Sequence, residues 1–277
     1  MIIGVDVGGS TTKAVAITDK AEAYLTVATV DPLASAIGAL GALLTKMSKE
    51  MVDIEAIALT GGRSRILPER ILGIEAFKVG ELEAVGIGGL YMTGFSEALV
   101  VSMGTGVAIV EVRKHGRKIK HVGGTGVGGG TIIGLAKKLL GTTDINRIVK
   151  LAREGDVKKV NLTVGDIVGR PIGILDLEDT ASNFGKMSDE AGEEDIAAGI
   201  LCMVGEVIGM LVAMAAGATG LTDRVVLVGK LSQTRLVSEK VKKICEKCGV
   251  KAIVPEKGEY CTAIGAAVKV KRLRETF

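Results

Sequence analysis

Two stretches of the chain are built alike, each an apolar run, a glycine-centred turn and a second apolar run. The first, IIGVDVGGSTTKAVAIT, spans residues 2–18 and hinges on Gly8 and Gly9, and the second, ALVVSMGTGVAIVEVR, spans residues 98–113 and hinges on Gly104 and Gly106. Each predicts a β-hairpin. After the first come a strand-like LTVATV, an apolar-periodic helix over about 33–51, and the buried strand of IEAIALTGG, which ends in a turn. After the second, helices are predicted near 131–140 and 144–154, a long one over 196–219, and a strand in RVVLVGKLS that again ends in glycine. The halves share one plan. Internal duplication with strand and helix alternation predicts an α/β architecture of two similar lobes facing each other across a cleft, with ligands at the strand ends.

The segment over 196–219 is about long enough to cross a bilayer, which takes ~20 residues. Glu206 sits near its middle, and no cluster of Lys or Arg flanks it. A central carboxylate costs on the order of 3 kcal/mol on insertion, so the segment reads as a helix buried in a protein core, with Glu206 paired to another group.

Composition narrows the function classes. The chain has 277 residues, 47% hydrophobic and 24% charged, with a net charge of +3 spread through alternating Lys and Glu, no Trp and few Phe or Tyr. That describes a compact globular chain without the basic stripe or stacking platform that nucleic acid requires. MIIGVDVGGS lacks a basic leader region and does not read as a signal peptide, so a cytoplasmic location is expected. Four cysteines are too few for a disulfide framework, in line with a reducing compartment. Cys245 and Cys248 form C-x-x-C without a second pair or a nearby histidine, so they read as reduced thiols on a helix rather than zinc ligands.

The glycine turns carry candidate chemistry. Exposed backbone N–H groups and hydroxyls form a concave anion site that a Cβ would obstruct. Asp6, at the end of the first strand, offers a carboxylate for Mg²⁺, and Lys13 adds a positive charge nearby. The stretch HVGGTGVGGGTIIG over 121–134 holds seven glycines. Gly124, Gly126 and Gly129 satisfy G-x-G-x-x-G, but no second strand with a ribose-binding acid follows, and no P-loop string occurs anywhere. The better reading is that Gly128 to Gly130 open the helix TIIGLAKKLLG, whose amides and dipole face a phosphate. Glu81 and Glu83 both begin an apolar helix, and the residues alone do not choose between them.

The strings VDVGGSTTKAV, LTGG, GELEAVGIGGLY, MGTGVAIV, HVGGTGVGGGTIIGL, TASNFG, VGEVIG and AIGAAV follow one another from Ile3 to about Val268. In this order they resemble the type II pantothenate kinases. The paired hairpins are similar to those of the wider actin, Hsp70 and sugar kinase superfamily, and the glycine stretch and TASNFG resemble the pantothenate kinases in particular. The resemblance implies two duplicated actin-like, ribonuclease H-like lobes flanking an ATP cleft. Residues 1–97 would carry the first phosphate hairpin and the catalytic glutamate, and residues 98–277 the second hairpin, the glycine-rich nucleotide loop and a dimer helix. It further implies a homodimer that uses ATP and Mg²⁺ to phosphorylate the primary hydroxyl of pantothenate, the first step towards coenzyme A.

Residue by residue, the resemblance makes Glu81 the base and assigns Asp6, Gly8, Gly9, Ser10, Thr11, Thr12 and Lys13 to the first ATP loop. Thr105 becomes a phosphate-contacting hydroxyl, Gly129, Gly130, Thr131, Ile132 and Ile133 wrap the nucleotide, and Lys230 lies in the adenosine-side turn. One position departs from the pattern. His121 stands where the family usually has an arginine, in a position that resembles a pantothenate or acyl-CoA contact, and a mostly neutral imidazole cannot grip a carboxylate as a guanidinium does. Two other functions compete: a superfamily kinase for another small hydroxylated acid or sugar, and an ATP-driven activator of a partner enzyme. Sugar kinases of this fold generally use an aspartate base, and the activators carry cysteines for an iron–sulfur cluster.

Overall fold

The computed structural model describes residues 1–275. In chain order the elements are β1 (Ile2–Val7), β2 (Thr11–Ile17), β3 (Ala21–Ala28), α1 (Pro32–Met47), β4 (Ala56–Thr60), β5 (Arg70–Ile71), β6 (Ile74–Lys78) and α2 (Glu81–Thr93). There follow β7 (Ala98–Met103), β8 (Val107–Arg113), β9 (Lys118–Thr125), α3 (Gly129–Leu139), α4 (Ile145–Glu154), β10 (Leu162–Thr163), α5 (Val164–Val168) and β11 (Thr180–Ser182). The chain continues with α6 (Glu193–Thr219), β12 (Val225–Val228), α7 (Arg235–Lys247), β13 (Ala252–Ile253) and α8 (Cys261–Arg274).

The duplication is visible in strand order. One sheet runs β3-β2-β1-β4-β6-β5 and another β13-β12-β7-β8-β9, so in each a run of three consecutive strands lies beside strands from later in the chain. In the first sheet β1 is antiparallel to β2 and parallel to β4, which is parallel to β6. Both expected hairpins are present. The chain divides into two compact units, one of residues 1–102, 110–122 and 255–277, the other of residues 103–109 and 123–254. This differs from a single boundary at 97/98, because the last helix belongs with the first unit.

The first unit is layered by the two-residue period of its strands. Ile3, Val5 and Val7 of β1, Ala14 and Ala16 of β2, and Ile57 and Leu59 of β4 join Leu40 and Leu43 of α1 in one core. The alternate residues Ile2, Val15, Ile17, Ala56 and Ala58 join Ala84 and Ile87 of α2 and Ala263, Ile264 and Ala267 of α8 in another. Asp31 caps α1 by accepting from the Ala34 amide at 2.8 Å, with Pro32 in the first turn. The helix stops at Met47, four residues short of the expected end, because Ser48 turns left-handed at φ 53°.

Glycine holds α8 to the first sheet. A Cβ on Gly4 would lie 2.0 Å from the Ala263 carbonyl oxygen, one on Gly265 would lie 1.8 Å from that of Ala84, and one on Gly88 would lie 2.1 Å from that of Cys261. β1, α8 and α2 therefore meet backbone to backbone, and no larger residue fits at these three positions.

In the second unit α6 packs against α4, α7 and α3. Gly205 and Gly209 of α6 lie against Lys240 and Ile244 of α7, where an added Cβ would come within 2.8 Å of a side chain. The apolar stretch of α6 meets the length and hydropathy of a membrane span, yet 67% of it is buried within the protein. Glu206 near its middle accepts from Thr180 at 2.8 Å and Asn183 at 3.1 Å and pairs with Lys240 at 3.3 Å. The expected partnering of that carboxylate is present, and TASNFG supplies part of it. Cys245 lies within α7 and Cys248 at its C-terminal cap.

Candidate active site

The residues singled out from the sequence fall into two groups, one in each unit. In the first unit, Asp6 is the last polar residue of β1 and is paired in register with Lys13 of β2 and Thr60 of β4. Burial pushes its carboxyl up from 3.8 to about 6; the nearby Lys13 cation opposes the rise and the Glu81 charge adds to it. Gly61 makes room for it: at φ +90° a Cβ there would sit 2.4 Å from Asp6 Oδ1. The turn after β4 is fastened beside this carboxylate, because the Arg63 amide donates to the Val7 carbonyl at 3.1 Å and the Ser64 hydroxyl to the Gly61 carbonyl at 2.7 Å.

Glu81 opens α2 behind Gly80, and the helix N-terminus favours its negative charge. The Gly88 and Gly265 contacts with α8 fix where that N-terminus lies, and α8 is fixed in turn on β1 through Gly4. This is how a carboxylate on a helix and a carboxylate on a strand come into one electrostatic neighbourhood. Glu83 is directed elsewhere, pairing with Lys269 of α8 at 2.8 Å.

The first turn is tight, with the Gly8 amide donating to the Thr11 carbonyl at 3.1 Å. Gly9 and Ser10 are exposed, and Thr11 and Lys13 are half-buried. Thr12 is fully buried, its hydroxyl 2.8 Å from that of Thr29. The Thr12 side chain therefore braces β2 against the segment after β3, and only its backbone remains for a ligand. His121 is exposed on β9.

In the second unit the glycine stretch packs on the second turn. The Gly104 amide donates to Gly106 across the turn at 2.9 Å, while the Gly129 and Gly130 amides donate to the Gly104 and Thr105 carbonyls at 2.9 and 2.8 Å. A Cβ on Gly128 would lie 2.7 Å from the Thr105 carbonyl oxygen, and one on Gly124 would lie 2.2 Å from that of Val107. This corrects the expectation that the amides opening α3 face a phosphate, because two of them are satisfied by the neighbouring turn. The glycines let backbone meet backbone. Thr131 secures the same corner, its hydroxyl accepting from the Gly128 amide at 3.1 Å and donating to the Gly126 carbonyl at 3.2 Å. Ile132 is wholly buried, so its side chain belongs to the core, whereas Ile133 is half-buried and Thr105 exposed.

Lys230 is exposed at the turn after β12, and the preceding Gly229, at φ +90°, abuts Met103, whose carbonyl oxygen would be 2.5 Å from a Cβ. The second hairpin turn, the glycine stretch and the Lys230 turn thus form one cluster. Nothing in the periodicity marks Thr60 or Gly61 as part of the first group. A polar residue closing a wholly buried strand is the signal that points to them, since β4 is otherwise Ala, Ile and Leu.

The donor set around Asp6 fits a hard divalent cation. It is an oxygen ligand, partly withdrawn from water, with a second carboxylate in its field. The hydroxyl of the neighbouring Thr60 is buried and without a hydrogen-bond partner.

Residues 7–269 match the family model described as Fumble. The chain belongs to the Fumble family. Among Fumble relatives, it is 34% identical to the type II pantothenate kinase of Bacillus cereus (strain G9842) over 164 residues, 56% of this chain and 59% of that protein, so this match spans about three-fifths of that relative's length. It is 28% identical to the type II pantothenate kinase of Oceanobacillus iheyensis over 273 residues, 95% of this chain and 97% of that protein. Solved structures show the fold. The activator of the 2-hydroxyisocaproyl-CoA dehydratase from Clostridium difficile with bound ADPNP superposes with a TM-score of 0.70 at 17% identity, over 100% of this chain and 97% of that one. A ROK family glucokinase from Streptomyces griseus in complex with glucose and AMPPNP gives 0.63 at 15%, over 98% and 99%. The Fumble chain thus shares the α/β fold of these two structures.

Proposed function

We propose that this protein is a pantothenate kinase, transferring the γ-phosphoryl group of ATP to the primary hydroxyl of pantothenate to give 4'-phosphopantothenate, the first step of coenzyme A biosynthesis. The observation that carries this reading is the division of labour at the start of α2. Glu83 is held by Lys269, and Glu81 shares an electrostatic neighbourhood with Asp6. Family likeness over nearly the whole length of a type II pantothenate kinase supports the choice of acceptor.

In this reading the Glu81 carboxylate accepts the proton of the attacking hydroxyl as its oxygen bonds to the γ-phosphorus and the bond to the leaving ADP oxygen breaks. Asp6 would hold Mg²⁺, which would supply charge neutralisation at the phosphates. Lys13 and the exposed backbone of Gly8, Gly9, Ser10 and Thr11 add donors and positive charge on the same unit. In the second unit Thr105 offers a hydroxyl to a phosphate, Thr131 and Ile133 border the nucleotide, and Lys230 lies on its adenosine side. The Gly129 and Gly130 amides shape this cluster by holding the second turn. His121 belongs to the acceptor pocket.

The protein is proposed to work as a homodimer in the cytoplasm. The apolar outer face of α6 supports a dimer, because Val207, Met210 and Met214 are exposed at helical spacing, Met214 to 67%. A Met210→Glu, Met214→Glu double variant should sediment as a monomer if that face is the interface.

The deciding experiment offers purified protein MgATP with pantothenate, pantetheine, pantoate and glucose in parallel, scored by product mass. Phosphopantothenate as the main product supports the proposal. A phosphorylated sugar with untouched pantothenate would move the protein to another kinase activity, and ATP hydrolysis without any phosphorylated acceptor would favour an activator.

A further inference from the structure

Thr60 is the last residue of β4, fully buried, and its Oγ1 is the one buried side-chain polar atom found without a hydrogen-bond partner among the described residues. A hydroxyl in that condition has lost its water and gained nothing, while valine has the same shape and would fill the site without the penalty. The placement suggests why threonine stands there. Parallel pairing sets Thr60 beside Asp6 on the neighbouring strand, so both side chains leave the same face of the sheet, the face that also carries Ile2, Ala56 and Ala58. The next residue, Gly61, lies close enough to Asp6 Oδ1 that a Cβ there would come within 2.4 Å of it. The carboxylate thus leans towards the end of the strand that Thr60 closes.

We propose that Thr60 is a positioning residue for Asp6, its hydroxyl donating a hydrogen bond to the Asp6 carboxylate when that carboxylate turns to hold the nucleotide's divalent cation. Bound this way, Asp6 keeps one oxygen on Thr60 and presents the other to the cation, and the buried donor gains its partner only in the loaded state. The role rests on the proposed use of MgATP and concerns the cation, not the acceptor.

The test compares wild type with Thr60→Val, Thr60→Ala and Thr60→Ser. ADP affinity is measured by calorimetry across a Mg²⁺ series, Mn²⁺ binding to the ADP complex is followed by electron paramagnetic resonance, and melting temperature reports folding. Thr60→Val and Thr60→Ala should weaken Mn²⁺ binding in the complex about tenfold and raise the Mg²⁺ needed for tight ADP binding. Metal-free ADP affinity should be unchanged, Thr60→Val should melt no lower than wild type, and Thr60→Ser should restore metal binding. Unchanged metal dependence in both Val and Ala variants overturns the role of Thr60 while leaving the ATP reading intact. A serine variant as weak as the valine one also overturns it, since the methyl and not the hydroxyl would then matter. A wild-type protein that binds neither MgADP nor MnADP overturns both readings at once.

Discussion

Glu83 is ion-paired with Lys269 at 2.8 Å, whereas Glu81, two residues earlier on the same helix, places its charge on Asp6. Residues two apart on a helix project on different faces, so one carboxylate is committed to an ion pair while the other faces the side of Asp6. Glu81→Gln should therefore leave nucleotide binding nearly unchanged and lower kcat by about 10² to 10⁴, the usual share of a general base. Glu83→Gln removes a partly exposed ion pair worth at most ~1 kcal/mol and should keep kcat within a few-fold of wild type. Steady-state kinetics at saturating MgATP separate the two; a dead Glu83→Gln beside an active Glu81→Gln would reverse the assignment.

Asp6 gives a stability prediction with a definite sign. Its folded pKa of about 6 stands above the ordinary 3.8 because burial disfavours the charged form. Between these values the folded protein holds a proton that the unfolded chain has released, so stability falls as pH rises from about 4 to about 6 and levels off above. The full shift corresponds to up to about 3 kcal/mol at neutral pH. Asp6→Asn should relieve it. The variant is expected to melt higher than wild type at pH 7.5, with the gap narrowing towards pH 4.5, while MgATP turnover collapses. Equal melting temperatures at both pH values would mean that Asp6 is better solvated than its surroundings indicate.

Much of the strand framework was legible from spacing alone. The alternation around Gly8, Gly9, Gly104 and Gly106 marks both hairpins, because a strand with one buried face writes its period into the sequence. Side-chain direction within the turns was less legible: Thr12 and Ile132 point inwards, and the motif that contains each does not show it. The place of α8 was hidden for another reason. Its attachment to β1 and α2 depends on Gly4, Gly88 and Gly265, whose role is to be absent at a contact between distant segments. β9 escaped notice because KIKH is too polar to read as a strand away from its neighbours.

The glycine stretch invites a test of packing against ligand contact. Gly124→Ala puts a methyl 2.2 Å from the Val107 carbonyl oxygen, a backbone atom that cannot swing aside, while Gly123→Ala meets nothing within 4 Å. Gly124→Ala should cost about 1–3 kcal/mol of stability, as overpacking does. Gly123→Ala should stay within about 0.5 kcal/mol of wild type. Denaturant unfolding without nucleotide measures both. Equal stabilities would show that the turn yields, and that Gly124 is present for a ligand.

His121 concerns acceptor choice. It is exposed on β9, and the resemblance to the type II pantothenate kinases sets it at a position where an arginine is expected. A guanidinium stays charged at every working pH and presents a planar fork of donors that matches a carboxylate, which an imidazole ring does not offer. If the pocket accepts pantothenate, His121→Arg should leave the KM for ATP unchanged and lower the KM for pantothenate, by about tenfold for a new charge-assisted contact of ~1.4 kcal/mol. A His121→Arg enzyme that binds ATP normally but phosphorylates no pantothenate would show that the pocket around β9 is shaped for a different hydroxylated substrate.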